Sequence, residues 1–150
     1  MDKLQSPESL LAEGIELICE TPVADEYRSL RVAASLAPRS AEGAAIGLPN
    51  TLFGVTLRKE GKLIGMGRIV GDGGLAFQIV DIAIQPAYQG RGLGRIIVAE
   101  LVEYLRKTAP AGAHISLFAD GPAKHLYAQF GFEETTPASV GMSLPNRASS

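Results

Sequence analysis

The 150-residue chain reads as one α/β domain: a mixed, mostly antiparallel sheet flanked by helices. Three observations predict this. Two strand-like runs, Thr51 to Leu57 and Lys62 to Val70, have the turn pair Glu60-Gly61 between them. A third run, Leu75 to Ile84, follows the turn Asp72-Gly73-Gly74 and is the longest uninterrupted β-type stretch in the chain. The period then changes to that of a helix over Leu93 to Lys107, the alternation of layers expected of an α/β domain. The length suits one core and is too short for two.

In chain order, Ile15 to Cys19 is a short apolar strand closed by Thr21-Pro22. Ala24 to Leu36 fits a helix through Tyr27, Leu30, Val32, Ala34 and Leu36, ended by Pro38; a second short helix runs from Ala41 to Ile46. Pro86 stops the third of the sequential strands. In the long helix, Leu93, Ile97, Leu101 and Leu105 form an apolar stripe widened by Ile96 and Tyr104, with Glu103 and Lys107 paired at i,i+4. Ala113 to Phe118 returns to strand character. Asp120-Gly121-Pro122 opens a short helix carrying Ala123, Leu126, Tyr127 and Phe130, which Gly131 stops. Phe132 to Thr135 and Val140 to Leu144 are expected as the last strands, and fraying is expected at 1–12 and 146–150.

Fourteen basic residues against sixteen acidic ones give a net charge of −2, where a nucleic-acid binder usually carries a basic surplus. Nucleic acid is therefore not expected as a partner. Cys19 is the single cysteine, so no disulfide forms within the chain, which suits a reducing compartment. No run approaches the ~18 apolar residues of a membrane span, and the opening residues MDKLQSPESLL lack a hydrophobic signal core. A cytoplasmic protein without membrane contact is expected.

The chemistry concentrates at one strand-to-helix turn. Strand residues Ile82, Ala83 and Ile84 lead through Gln85-Pro86-Ala87-Tyr88 into Gln89-Gly90-Arg91-Gly92-Leu93-Gly94 and then Arg95. Three alternate glycines let backbone N–H groups approach an anion, and they lie at the positive end of the long helix. Arg91 and Arg95 add cationic donors. A pyrophosphate site follows from this alone. A nucleoside-triphosphate loop would need Gly-Lys-Ser/Thr, which is absent. A dinucleotide fingerprint needs different glycine spacing and a parallel βαβ unit. A glycine-rich surface turn without a ligand is the remaining alternative.

The hexapeptide Gln89 to Gly94 resembles the Q/R-x-x-G-x-G/A signature of the GNAT superfamily of N-acetyltransferases. About forty residues on, Leu126-Tyr127-Ala128-Gln129-Phe130-Gly131-Phe132 is similar to that family's second landmark, an aromatic pair before Gly-Phe. With the element order, the resemblance spans roughly Ile15 to Leu144. It implies a splayed central strand pair and acetyl-CoA as acetyl donor, with no metal. It implies that the pantetheine arm pairs with the backbone of Ile82, Ala83 and Ile84. The pyrophosphate would rest on the amides of Gln89, Gly90, Arg91, Gly92, Leu93 and Gly94, assisted by Arg95. Tyr127 would stand near the cofactor sulfur.

The implied reaction is direct attack by an amine on the thioester. An alkyl amine with a pKa near ~10 must first lose a proton, and the departing thiolate gains one. Tyr127 is the candidate acid; its alternative is an ordinary core tyrosine on an apolar helix face. Asp81, alone among apolar strand residues, is the candidate base; its alternative is an ion-pair partner at the strand splay. Gln78, where some relatives carry an acid, cannot accept the proton. His114 begins a strand and His125 is expected to face solvent; neither has a metal-ligand partner at suitable spacing. Cys19 is expected as a small packed residue. Tyr27, Arg28 and Arg31 are candidates for a substrate entrance, and the segment Thr136 to Met142 for the acceptor pocket or a plain hairpin loop.

The leading function is N-acetyl transfer to a primary amine of a small molecule or protein. A non-catalytic acetyl-CoA-binding regulatory module of the same fold is the alternative. Family members often dimerise, which keeps a homodimer among the expectations.

Overall fold

The computed structural model describes residues 6–146, which fall into two compact units dividing between Leu117 and Phe118. In the first unit, strands β1 (Ile15–Ile18), β2 (Phe53–Lys59), β3 (Lys62–Gly71), β4 (Ala76–Ile84) and β5 (His114–Ser116) form one sheet in that spatial order. The first four pair antiparallel and β5 joins β4 in parallel. Helices α1 (Pro7–Ala12), α2 (Ala24–Ala33), α3 (Ala41–Gly47) and α4 (Leu93–Thr108) complete the unit. The strands are ordered by their turns. Glu60 and Gly61 both adopt positive φ, 52° and 78°, the pattern of a two-residue hairpin matched to strand twist. At the next turn one oxygen of Asp72 accepts from the N–H groups of Gly74, Leu75 and Ala76 at 2.8, 2.7 and 3.1 Å. Those three donors hold its carboxyl below the usual carboxylate range.

One face of the sheet carries α4, whose buried stripe of Leu93, Ile96, Ile97, Val98, Leu101, Val102 and Leu105 matches the expected periodicity. Two glycines of β3 let it close in. A Cβ on Gly67 would lie 2.6 Å from Ile82 Cδ1 and 2.7 Å from Ile97 Cγ2; one on Gly65 would lie 3.0 Å from Ile84 Cδ1. Ile97 Cγ2 sits on a β-branched carbon and cannot swing aside without leaving its rotamer. Gly67→Ala is therefore expected to destabilise by about 1–3 kcal/mol through overpacking. A urea midpoint unchanged from the parent would show that the helix shifts freely. Phe53 of β2 stacks on Tyr104 of α4 at 4.3 Å between ring centroids.

The other face carries α2 and α3 over Leu63, Met66 and Ala83, with Tyr27, Leu30, Ala44 and Leu48 packed among them. Ser40 caps α3 by accepting from Gly43 N–H at 2.9 Å. Arg58 of β2 ties α2 to the sheet with a bidentate grip on Glu26, at 2.7 and 2.8 Å.

Several boundaries differ from the sequence expectation. The helix from Ala24 ends at Ala33, because Ser35 turns left-handed (φ 64°) well before Pro38. The fraying expected at 1–12 falls partly outside the described residues, and within them Pro7–Ala12 is helical with Leu10 buried. Likewise, all but the first residue of 146–150 lies outside them. Cys19 is exposed instead of packed.

The second unit holds a short 3-10 turn, Gly121–Ala123, and helix α5 (Lys124–Ala128). Neither expected strand, 132–135 nor 140–144, forms. Glu133 and Glu134 break the alternation in the first. A turn closes over 135–139, with Ser139 N–H donating to the Thr135 carbonyl at 3.0 Å. Val140, Met142 and Leu144 of the second are exposed, so no apolar face is buried to hold a strand in place.

Candidate active site

The glycine loop grows out of β4. Gln85 N–H still reaches back to the Ile64 carbonyl of β3 at 2.8 Å. A 3-10 turn over Pro86–Tyr88 then reverses the chain, and Gln89 folds its side-chain amide back onto the Ile84 carbonyl at 2.9 Å. Gly90 and Gly92 follow with φ of 78° and 82°, a region that disfavours any side chain. Around Gly90 a Cβ would meet nothing within 4 Å, so conformation and not crowding explains that glycine, and there is space above it for a ligand. Gly92 is the N-cap of α4 and supplies no capping side chain. The first helical hydrogen bond runs from Ile96 N–H to the Gly92 carbonyl at 3.3 Å. The amides of Leu93 and Gly94 thus precede the ladder and have no acceptor within the helix. A sixteen-residue helix with an uncapped, glycine-lined mouth is a ready anion site.

Beside this mouth, the Arg91 guanidinium pairs with the Glu13 carboxylate and lies 5.7 Å from the Tyr88 ring centroid. Arg95 stands in the first turn of α4.

The strand edge leading to the loop is open over half its length. β5 accompanies β4 only through Ala76, Phe77 and Gln78. Within the first unit, β4 has no ladder on that side from Ile79 to Ile84. On its β3 side the register runs Gly65↔Ile84 and Met66↔Ala83, then shifts before Arg68↔Val80. Since Gln85 bonds toward β3, the alternation of an antiparallel ladder turns Ala83 the same way and aims the backbone groups of Ile82 and Ile84 at the open edge. Splayed strands beside a glycine loop thus give an extended amide-bearing ligand a strand to pair with and an anion cradle at its end. The residues present fit a pantetheine arm with a pyrophosphate.

Asp81 sits in the register shift, with φ of 60°. That backbone turn places its carboxylate among arginines. Arg31 Nη1 donates to one oxygen at 2.5 Å and Arg68 Nε to the other at 2.6 Å. The carboxylate is 6% exposed, the two guanidinium side chains 7% and 14%. Arg31 is further fixed by donating to the Ala37 carbonyl at 2.8 Å, and Arg68 by donating to Thr51 Oγ1 at 2.8 Å. Tyr27 lies against this group, with the Arg68 guanidinium 5.7 Å from its ring centroid. Burial pushes the Tyr27 phenol up, and the Asp81 charge pushes the same way, against the two arginines.

Alongside opens a cleft of about 200 Å³ whose lining includes Tyr27, Arg39, Gly43, Gly47, Leu48 and Arg68. Of the expected entrance residues, Tyr27 lines this cleft. Arg31 is tied up behind it, and Arg28 instead donates to the Arg39 carbonyl at 2.9 Å. Arg68 and Arg39 escaped the sequence reading. The only available signal was a charged residue inside the glycine-flanked run Gly65-Met66-Gly67-Arg68, which pattern alone cannot distinguish from a surface position.

In the second unit Tyr127 is buried, 8% exposed, and meets Phe132 edge-on at 6.2 Å between centroids. Burial raises its phenol above the ordinary value, helped by the Asp120 charge. The group is therefore neutral and able to donate at neutral pH. His125 and His114 are both exposed.

A family model described as "Acetyltransferase (GNAT) family" matches residues 19–132. Among solved structures, a probable acetyltransferase of meticillin-resistant Staphylococcus aureus is 42% identical with a TM-score of 0.84, over 88% of this chain and 99% of that one. The Escherichia coli ribosomal-protein-S18-alanine N-acetyltransferase is 25% identical with a TM-score of 0.67, over 81% and 79% of the two chains. Among curated relatives, the chloroplastic GCN5-related N-acetyltransferase 2 of Arabidopsis thaliana is 39% identical over 85 residues, 57% of this chain and 32% of that protein. The match spans only 32–45% of the length of that relative and of the ycf52 N-acetyltransferase of Pyropia yezoensis. No helix among the described residues is long and apolar enough to cross a membrane.

Proposed function

The chain belongs to the GNAT acetyltransferase family, and from that premise we propose that it transfers acetyl from acetyl-CoA to a primary amine by direct attack. The observation that carries this reading is the uncapped mouth of α4 continuous with the open backbone edge of Ile82–Ile84. The family match crosses the boundary between the two units, which supports treating them as one catalytic domain. The free Cys19 suits a cytoplasmic site of action.

The thioester supplies an activated acyl carbon when bound. Backbone amides of Gly90 to Gly94 would hold the pyrophosphate, the Gln89 N–H being already given to the Pro86 carbonyl at 3.2 Å. Ile82 and Ile84 would align the arm, Ala83 being turned toward β3 instead. The amine gives up its proton to water and forms the new C–N bond as the C–S bond breaks. Tyr127 donates its phenolic hydrogen toward the departing sulfur, a role supported by its match to the family's second landmark and by its neutral, buried state. With both oxygens engaged by guanidinium groups, Asp81 fits a positioning role better than proton abstraction.

An amine panel incubated with acetyl-CoA and read by thiol release tests the activity. A protein that binds no acetyl-CoA and releases no thiol with any amine is not an acetyltransferase. Tyr127→Phe is expected to lower kcat by about 100-fold with little change in cofactor affinity. A variant with unaltered kcat would transfer the acid role to water.

A further inference from the structure

We infer that the amine accepted at this site also carries an acidic group, a carboxylate or phosphate, and that Arg68 and Arg39 hold it in the cleft beneath α3. This rests on the acetyltransferase reading and adds the class of acceptor.

The charge arrangement carries the argument. Two guanidinium groups, Arg31 and Arg68, share one carboxylate, Asp81, so the buried cluster retains one net positive charge. Its cleft-side member is Arg68, which spends Nε on Asp81 and Nη1 on Thr51 and also lines the open space. Arg39 lines the same cleft and adds a second positive charge; its guanidinium donates to the Pro38 carbonyl at a long 3.5 Å. No carboxylate lines the cleft among the described residues. Such a surface repels a bare ammonium and attracts an anion. Planar guanidinium forks match the oxygens of a carboxylate or phosphate.

Size and position agree. Gly43 and Gly47 line the cleft without side chains to fill it, and its volume of about 200 Å³ falls below the ~300–1,000 Å³ of sites for drug-sized ligands. A small molecule or one end of it fits. Arg68 is hydrogen-bonded to Asp81, the residue immediately before the cofactor-pairing edge at Ile82. An acid seated on Arg68 and Arg39 therefore leaves the amine of the same molecule free to reach along β4 toward the acyl carbon. The buried ring of Tyr27 supplies an apolar wall.

The test pairs acid-bearing amines with neutral counterparts: β-alanine with β-alaninamide, 4-aminobutyrate with 4-aminobutyramide, and phosphoethanolamine with ethanolamine. Thiol release from acetyl-CoA is expected to show a kcat/KM about 10- to 100-fold higher for the acidic member of at least one pair. The pair that responds distinguishes carboxylate from phosphate. Arg39→Gln should bring the two members of that pair within a few fold of one another. The same compounds titrated into nitrogen-15-labelled protein should shift the side-chain Nε–H resonances of Arg39 and Arg68 only when the acid is present, a readout independent of turnover. Equal kcat/KM within every pair, or a preference that survives Arg39→Gln, overturns the inference. If acetyl-CoA neither binds nor reacts while the arginine resonances still respond to the acids, the acetyltransferase reading fails and the anion site stands.

Discussion

Asp81→Asn is expected to lower folding stability by about 3 kcal/mol or more, the scale for breaking a buried ion pair by removing one partner. Asparagine tolerates the left-handed backbone that Asp81 adopts, so strain is not the cause. What changes is charge: Arg31 and Arg68, 7% and 14% exposed, lose the only anion that they share in this cluster. The long guanidinium stems are pinned by Ala37 and Thr51 and cannot simply swing into water. Urea denaturation measures the loss, and a change under about 1 kcal/mol would mean that water already screens the pair. The same variant separates positioning from base catalysis. If Asp81 accepted the amine proton, Asp81→Asn would remove the acidic limb of the kcat/KM profile against pH. A positioning residue lowers the whole profile and leaves its shape intact.

Gly92→Asp is expected to weaken coenzyme A binding by at least about 100-fold. Aspartate enters the left-handed region more readily than most residues, so the N-cap conformation at φ 82° survives at modest cost. Its carboxylate, however, stands at the mouth of α4, the proposed place of the pyrophosphate. Two unit charges at ~4 Å repel by about 4 kcal/mol at the effective dielectric of a protein surface. Gly92→Ala is the control that adds a Cβ and no charge. Calorimetry with coenzyme A gives the affinity, and circular dichroism shows whether the fold is kept. A folded Gly92→Asp protein with parental affinity would place the ligand somewhere other than this helix end.

How much of this was legible in the chain depends on the range of the interaction. Glu60-Gly61, Asp72-Gly73-Gly74 and the Leu93 stripe are local signals, and β2, β3, β4 and α4 appear within two residues of their expected bounds. The conformation of the glycine loop was legible because Gly90 and Gly92, just ahead of the Leu93 stripe, take the left-handed backbone that glycine favours. The Arg31–Asp81–Arg68 cluster was not, since its members are 50 and 13 residues apart. It depends on a register shift that no local pattern announces. Asp81 could be singled out as an anomaly among apolar neighbours; its partners could not. Helix α1 was passed over because six residues leave too short a pattern to count. The runs 132–135 and 140–144 show the opposite failure, where strand-like composition is present and a ladder does not form.

The two missing side chains at Gly65 and Gly67 have a consequence for the ligand site as a whole. They act as a shim of zero thickness: α4 rests almost directly on β3, and Ile82 and Ile84 are wedged between them. The proposed phosphate cradle travels with the helix and the proposed amide-pairing edge with β4. The separation of the helix mouth from the β4 edge is therefore set from below, by residues outside the proposed cofactor contacts. Natural or designed changes at these two positions would retune the reach of the site while leaving every ligand-facing group in place.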